Sequence, residues 1–116
     1  MECNAYMNEN ESLHFAKLMQ FVSAEFGNFG YKYFNSMAIG INHHITINGL
    51  EFVVNFSTET INTIDIWGFG FTADNILKNE TINTFICWYM DNINHTNCFT
   101  TEIMGSKLVN VKMVNE

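Results

Sequence analysis

Asn48-Gly49 is the feature that most restricts what this chain can become. A two-residue hairpin turn needs positive φ at both central positions, and Asn-Gly tolerates that best. Folding the chain there pairs Ile47 with Leu50, Ile45 with Phe52, His43 with Val54 and Ile41 with Phe56. Those residues fall on one face. The opposite face pairs Thr46 with Glu51, His44 with Val53 and Asn42 with Asn55. A turn chosen by its own chemistry therefore yields one apolar side and one polar side in a single register. A slip by one residue would exchange the two.

Two segments carry helical rather than strand periodicity. Glu9–Phe26 places Phe15, Leu18, Met19, Val22 and Phe26 on one face, with Asn8 as N-cap, Glu11 as its capping-box partner and Gly27-Asn28 closing the end. Residues 80–94, capped by Thr81 or Asn79, set Ile82, Phe85, Ile86, Tyr89, Met90 and Ile93 in a regular stripe. Ala73–Lys78 reads as a short turn of helix, and Asp74 and Glu80 sit where helix starts favour negative charge. A third strand over 61–69 turns Ile64 and Ile66 inward and Thr63, Asp65 and Trp67 outward. Strands Cys98–Met104 and 107–114 meet at Gly105-Ser106. The expectation is one α+β domain over 1–116, order α-β-β-β-α-β-β, with an antiparallel sheet and helices packed on one face. Residues 1–8 are a candidate disordered N-terminus. Over residues 9–114 this order resembles that of the small acidic chaperones of type III secretion, which are homodimers. The likeness lies in element order alone, and the terminal helix of those chaperones has no counterpart here.

Composition narrows the partners. The chain has no arginine or proline, asparagine is its commonest residue, and twelve carboxylates face five lysines for a net charge of −7. Asn, Ile, Phe and Tyr share AT-rich codons with Lys, so nucleotide bias alone does not explain scarce lysine. Direct nucleic-acid binding works by Lys and Arg displacing counterions, which argues against it here and for a basic protein partner. Without proline, glycine and asparagine must make the turns. No apolar run approaches the roughly 18 residues of a membrane span. Met1-Glu2-Cys3-Asn4 does not begin like a signal peptide, so a cytoplasmic site is expected, the host cytoplasm if the chain is viral. Cys3, Cys87 and Cys98 are odd in number and scattered, unlike a disulfide framework. Four Asn-x-Ser/Thr sequons, from Asn10, Asn55, Asn79 and Asn94, are expected by chance in so asparagine-rich a chain.

Several constellations invite chemistry and are outweighed. Gly68-Phe69-Gly70-Phe71-Thr72-Ala73 matches a dinucleotide loop, but the strand before it belongs to an antiparallel meander, and a plain strand-to-helix bend fits better. Cys87, His95 and Cys98 have the residue types of a zinc site, with a fourth ligand needed from His43, His44 or Cys3. Cysteine as a small buried hydrophobe is the commoner case. His43 and His44 point to opposite faces of the hairpin and cannot act together. No thiolate is placed beside a base, so neither cofactor nor catalysis is expected.

The surface residues carry the functional expectation. With Glu9, Glu11, Asp74 and Glu80 placed at helix starts, the candidates for a functional surface are Glu25, Glu51, Glu59, Asp65, Asp91 and Glu102. Trp88 lies about 130° from the centre of its helix stripe at 100° per residue, beside Thr84 and Asp91. Trp67 and Phe69 share the outer side of the third strand with Asp65. A chain so rich in aromatics on both faces of a short meander is expected to bury some against another chain, most simply as a homodimer. The whole reads as a non-enzymatic binding module using Trp88, Asp91, Thr84, Trp67, Asp65 and Glu51. Its partner would be a basic, nucleic-acid-binding protein, as for a phage or mobile-element anti-defence (anti-CRISPR-like) inhibitor. A homodimeric secretion-chaperone-like adaptor, or a small metal- or ligand-binding enzyme using Cys87, His95 and Cys98, is the alternative.

Overall fold

In a computed structural model, which describes residues 7–57 and 60–115, the Asn48-Gly49 turn forms with φ of 51° and 80°. It joins β2 (Gly40–Ile47) to β3 (Leu50–Val54). The ladder holds Ile47–Leu50, Ile45–Phe52 and His43–Val54 on one face, and Thr46–Glu51 and His44–Val53 on the other, as the turn chemistry requires. It stops at Val54. The Asn55 side chain then takes over, donating to the Ile39 carbonyl at 2.7 Å and to Asn42 Oδ1 at 3.0 Å while its own Oδ1 accepts from the Ser57 amide. Ile41 and Phe56 are both buried, but Ile41 pairs with Asn35 instead of Phe56. With Asn55 buried and both ends of its amide bonded, this sequon is a structural element.

Asn35 belongs to an additional strand. Helix α1 (Glu9–Phe26) is followed by β1 (Gly30–Ser36), which pairs antiparallel with β2. The segment escapes a period-two reading because its aromatics fall on both faces. Tyr31 packs on the core side while Phe34 lies on the far side. Beyond β3 come β4 (Thr63–Trp67), α2 (Ala73–Lys78), α3 (Glu80–Tyr89), a π-helical turn (Met90–Asn94), β5 (Cys98–Met104) and β6 (Leu108–Val114). The six strands form one antiparallel sheet in the order β1-β2-β3-β4-β6-β5. The class is α+β as expected, in the order α-β-β-β-β-α-α-β-β. The added strand takes that order away from the secretion chaperones it resembled.

Among the described residues, helices cover one face only. Phe15, Leu18, Met19 and Val22 of α1, and Ile82, Phe85, Ile86 and Tyr89 of α3, pack on Ile45, Phe52, Ile64, Ile66, Val109 and Val111 of the sheet. Phe52 and Phe85 stack with ring centroids 4.2 Å apart. Removing side chains of this size from water stabilises the fold by about 1.5–3 kcal/mol each. Asparagine does the capping: Asn8 Oδ1 accepts from the Glu11 amide and Asn79 Oδ1 from the Ile82 amide, both at 2.9 Å. Met7 packs against the core, so Met7 and Asn8 belong to the fold, while residues 1–6 lie outside the described range. The helix expected over 80–94 changes pitch at Tyr89. The His95 amide bonds back to the Met90 carbonyl in a wider turn, which ends with His95 in the left-handed region. Met90 and Ile93 stay buried through it.

Candidate partner-binding surfaces

Because the helices lie on one side, the six expected contact residues separate into two groups. Glu51, Asp65 and Trp67 stand together on the open face of the sheet, Glu51 directly opposite Trp67 and Asp65 two residues away on the same strand. Thr84, Trp88 and Asp91 lie in the helical layer, on the other side of the sheet. One partner patch cannot include both groups.

The open face has its own polar order. Glu51 takes the Lys32 ammonium at 3.7 Å and His44 Nδ1 at 3.2 Å, and the His44 ring stands edge-on to Phe34. Asp65 Oδ1 accepts from Asn110 Nδ2 at 2.8 Å. Phe34, Trp67 and Met104 remain 55%, 44% and 51% exposed. Asn42, Val53, Asn55, Thr63 and Asp65 line a small hollow of about 180 Å³. Phe69 is not part of β4. It lies in the loop beyond, 86% exposed, with the Lys107 ammonium over its ring.

In the helical layer Trp88 corrects the helical-wheel expectation. It is half-buried, and its indole stacks on Phe21 of α1 at 4.4 Å with the planes 7° apart. The wheel measured Trp88 against the stripe of its own helix and could not place α1 beside it. Asp91 is exposed, and Thr84 is half-buried in a hollow with Glu25, Phe26, Asn48, Glu80 and Thr81. Glu80, set aside above as a helix-start residue, is thus a neighbour of Thr84 as well.

Charge divides in the same way. The helices and the π-helical turn carry Glu9, Glu11, Glu25, Asp74, Glu80 and Asp91 against Lys17 and Lys78, six carboxylates to two lysines and a net of −4. The strands and the β5–β6 turn carry Glu51, Asp65 and Glu102 against Lys32, Lys107 and Lys112, which balance. Glu59 lies outside the described residues.

The remaining constellations resolve into structure. The amides of Gly68 and Phe71 donate to the carbonyls of Lys107 and Ser106 at 2.9 and 3.1 Å, so the loop resembling a phosphate cradle is pinned to the β5–β6 turn. A Cβ at Gly68 would come within 2.8 Å of Leu50 and 2.9 Å of Phe71, which explains that glycine by packing. Phe71 is a core residue, Phe69 is not. Cys87 is exposed, not a buried hydrophobe, and Cys98 Sγ donates to the Val114 carbonyl at 3.4 Å. Among the described residues, no three His, Cys, Asp or Glu side chains gather as metal ligands, and Cys3 lies outside that range. His43 is 1% exposed, stacked on Phe15 and 2.8 Å from the Tyr31 hydroxyl through Nδ1. Burial, and then the neighbouring His44, depress its pKa to about 4, so it is neutral at physiological pH. Among the described residues no helix is long and apolar enough to cross a membrane. Comparison of the chain with protein-family models, curated proteins and solved structures finds no match.

Proposed function

We propose that this chain is a small, non-enzymatic binding module that holds a basic protein through its helical layer. In this reading it inhibits a nucleic-acid-binding protein by occupying the surface that would otherwise hold phosphate, as an anti-defence protein of a phage or mobile element would. The observation that carries the proposal is the segregation of charge, six carboxylates to two lysines on the helical side against a balanced sheet. Helix starts account for Glu9, Glu11, Asp74 and Glu80 one by one, but their common side still makes the field one-sided, and such a field orients a cationic partner during encounter. The hollow between the end of α1 and the start of α3 offers Glu25, Glu80 and Thr84 as its polar lining, and Asp91 adds charge along the same layer. The partner-binding set proposed is therefore Glu25, Glu80, Thr84 and Asp91, with the rim of Trp88.

The test is capture from cell lysate with the wild-type protein and with a Glu25→Lys, Glu80→Lys variant. The captured protein should be basic and should elute as salt shortens the Debye length below about 8 Å. It should also lose its nucleic acid in a gel-shift titration with the wild-type protein. A captured protein that the charge-reversed variant holds equally well, or that keeps its nucleic acid, removes the proposal.

A further inference from the structure

We infer that the open face of the sheet is a homodimer interface, in which a second copy packs face to face about a two-fold axis running along the strands. This is independent of the basic-partner reading, which uses the opposite side of the molecule. The inference rests on how the register distributes side chains across the sheet. One unbroken row on the open face reads Lys32, His44, Val53, Asp65, Asn110 and Glu102 from β1 to β5. Its ends are a lysine and a glutamate, both exposed.

A two-fold axis parallel to the strands, passing between β3 and β4, reverses the strand order of the second copy. β1 then faces β5 of the partner, β2 faces β6 and β3 faces β4. Lys32 meets Glu102 of the second copy, and by symmetry the pair occurs twice, once at each edge. The row beside it places Asn42 of one copy over Lys112 of the other. Asn42 lines the hollow that Asp65 also lines, so the incoming ammonium finds a carboxylate there. The opposite choice, an axis across the strands through this row, would set Lys32 over Lys32 and Glu102 over Glu102. The edge charges are therefore complementary in one orientation and self-repelling in the other, which is how like-charge contacts select a register. Sheets packed this way keep their strands within about 30° of each other.

Size agrees. Six strands about 4.8 Å apart and some 20 Å long give a flat footprint of roughly 600 Å². Corrugation by Phe34, Trp67 and Met104 brings the accessible area close to the roughly 800 Å² per partner of a standard interface. Trp67, Leu108 and Met104 form a contiguous apolar corner in the row opposite Glu51, Thr46 and Gly30. In the proposed orientation Met104 and Leu108 cover the partner's Gly30 and Thr46, which are small, and Trp67 covers its Glu51.

Sedimentation equilibrium, with each variant's fold checked by circular dichroism, tests the arrangement. Wild-type protein should dimerise at micromolar concentration. Lys32→Glu alone and Glu102→Lys alone should each weaken the dimer roughly tenfold or more at low salt, since two attractive pairs become repulsive. Mixing the two variants should restore association, because the heterodimer has two attractive pairs, one as in the wild type and one with its charges exchanged. The mixture also controls for the lost Lys32–Glu51 contact within one chain, which mixing does not repair. Lys112→Glu is a second, independent variant expected to weaken the dimer. A monomeric wild-type protein at high micromolar concentration, a dimer indifferent to all three substitutions, or a mixture no tighter than its components overturns the inference.

Discussion

His43 makes the fold acid-sensitive by a calculable amount. The ring lies between Phe15 of α1, Tyr31 of β1 and Phe56, with centroids 4.7, 5.9 and 5.4 Å away. The titratable group facing it is the Tyr31 phenol, itself pushed up to about 12 by burial and then by Tyr33, and His44 follows it in the chain with its ring on the opposite face. Neither offers a negative charge below neutral pH. The folded pKa of about 4 lies below the ordinary 6.5, so between those values the unfolded chain binds the proton and the folded chain does not. Stability is therefore full above pH 6.5 and falls as pH drops toward 4. Integrating the linkage from pH 7.5 to 5 gives a loss of about 2 kcal/mol from this residue alone. That is a large share of the roughly 5–15 kcal/mol of a domain of this size.

The assay is denaturant unfolding of wild-type protein and His43→Leu at pH 7.5 and pH 5. Leucine nearly matches the ring in volume and cannot titrate. Its absolute stability will differ, but it should lose about 2 kcal/mol less than wild type on acidification. His14, whose pKa burial also lowers, and the carboxylates contribute equally to both proteins and cancel in the comparison. Equal losses in the two proteins would show that His43 charges in place without penalty, and the account of a neutral core histidine would be wrong.

Three further outcomes follow from the packing. Gly68→Ala should cost about 1–3 kcal/mol in denaturant unfolding, because its Cβ meets Leu50 at 2.8 Å and Phe71 at 2.9 Å. No loss would mean those side chains yield freely. Tyr89→Phe should leave the melting temperature unchanged or raise it, since the Tyr89 hydroxyl is buried without a hydrogen-bond partner among the described residues. A clear drop would reveal a bond to that hydroxyl. Trp88→Ala should lower stability by about 1–3 kcal/mol through loss of its stack on Phe21. An unchanged melt with impaired partner capture would return Trp88 to the role of an exposed anchor.

What the sequence disclosed was the local geometry of each element. The Asn48-Gly49 register, the buried stripe of α3 and the inward Ile64 and Ile66 all follow from turn chemistry and periodicity, and each is present. β1 was hidden because Tyr31 and Phe34 put aromatic bulk on both faces of an edge strand, which erases the alternation that marks a half-buried one. The π-helical turn left no signal either. Its apolar residues continue the α-helical stripe, and the change of pitch is set by hydrogen bonds from His95 and Thr96 to a single carbonyl.

The surface was less legible, for a geometric reason. Periodicity tells which side of each element faces the core, but it does not tell which outward sides share a face of the molecule. Glu51 and Trp67 could have been joined from sequence, since β3 and β4 are consecutive and the hairpin fixes their outward residues. Trp88 separates from them once helices are packed on one face, which the element order already implied, but its stack on Phe21 needed the placement of α1 against α3. Once helices are assigned to one face, however, summing charge element by element already separates an acidic layer from a balanced sheet. That sum uses nothing but the sequence and the α+β packing rule. It divides the six expected contact residues between two surfaces, and two surfaces of different charge suit two different occupants.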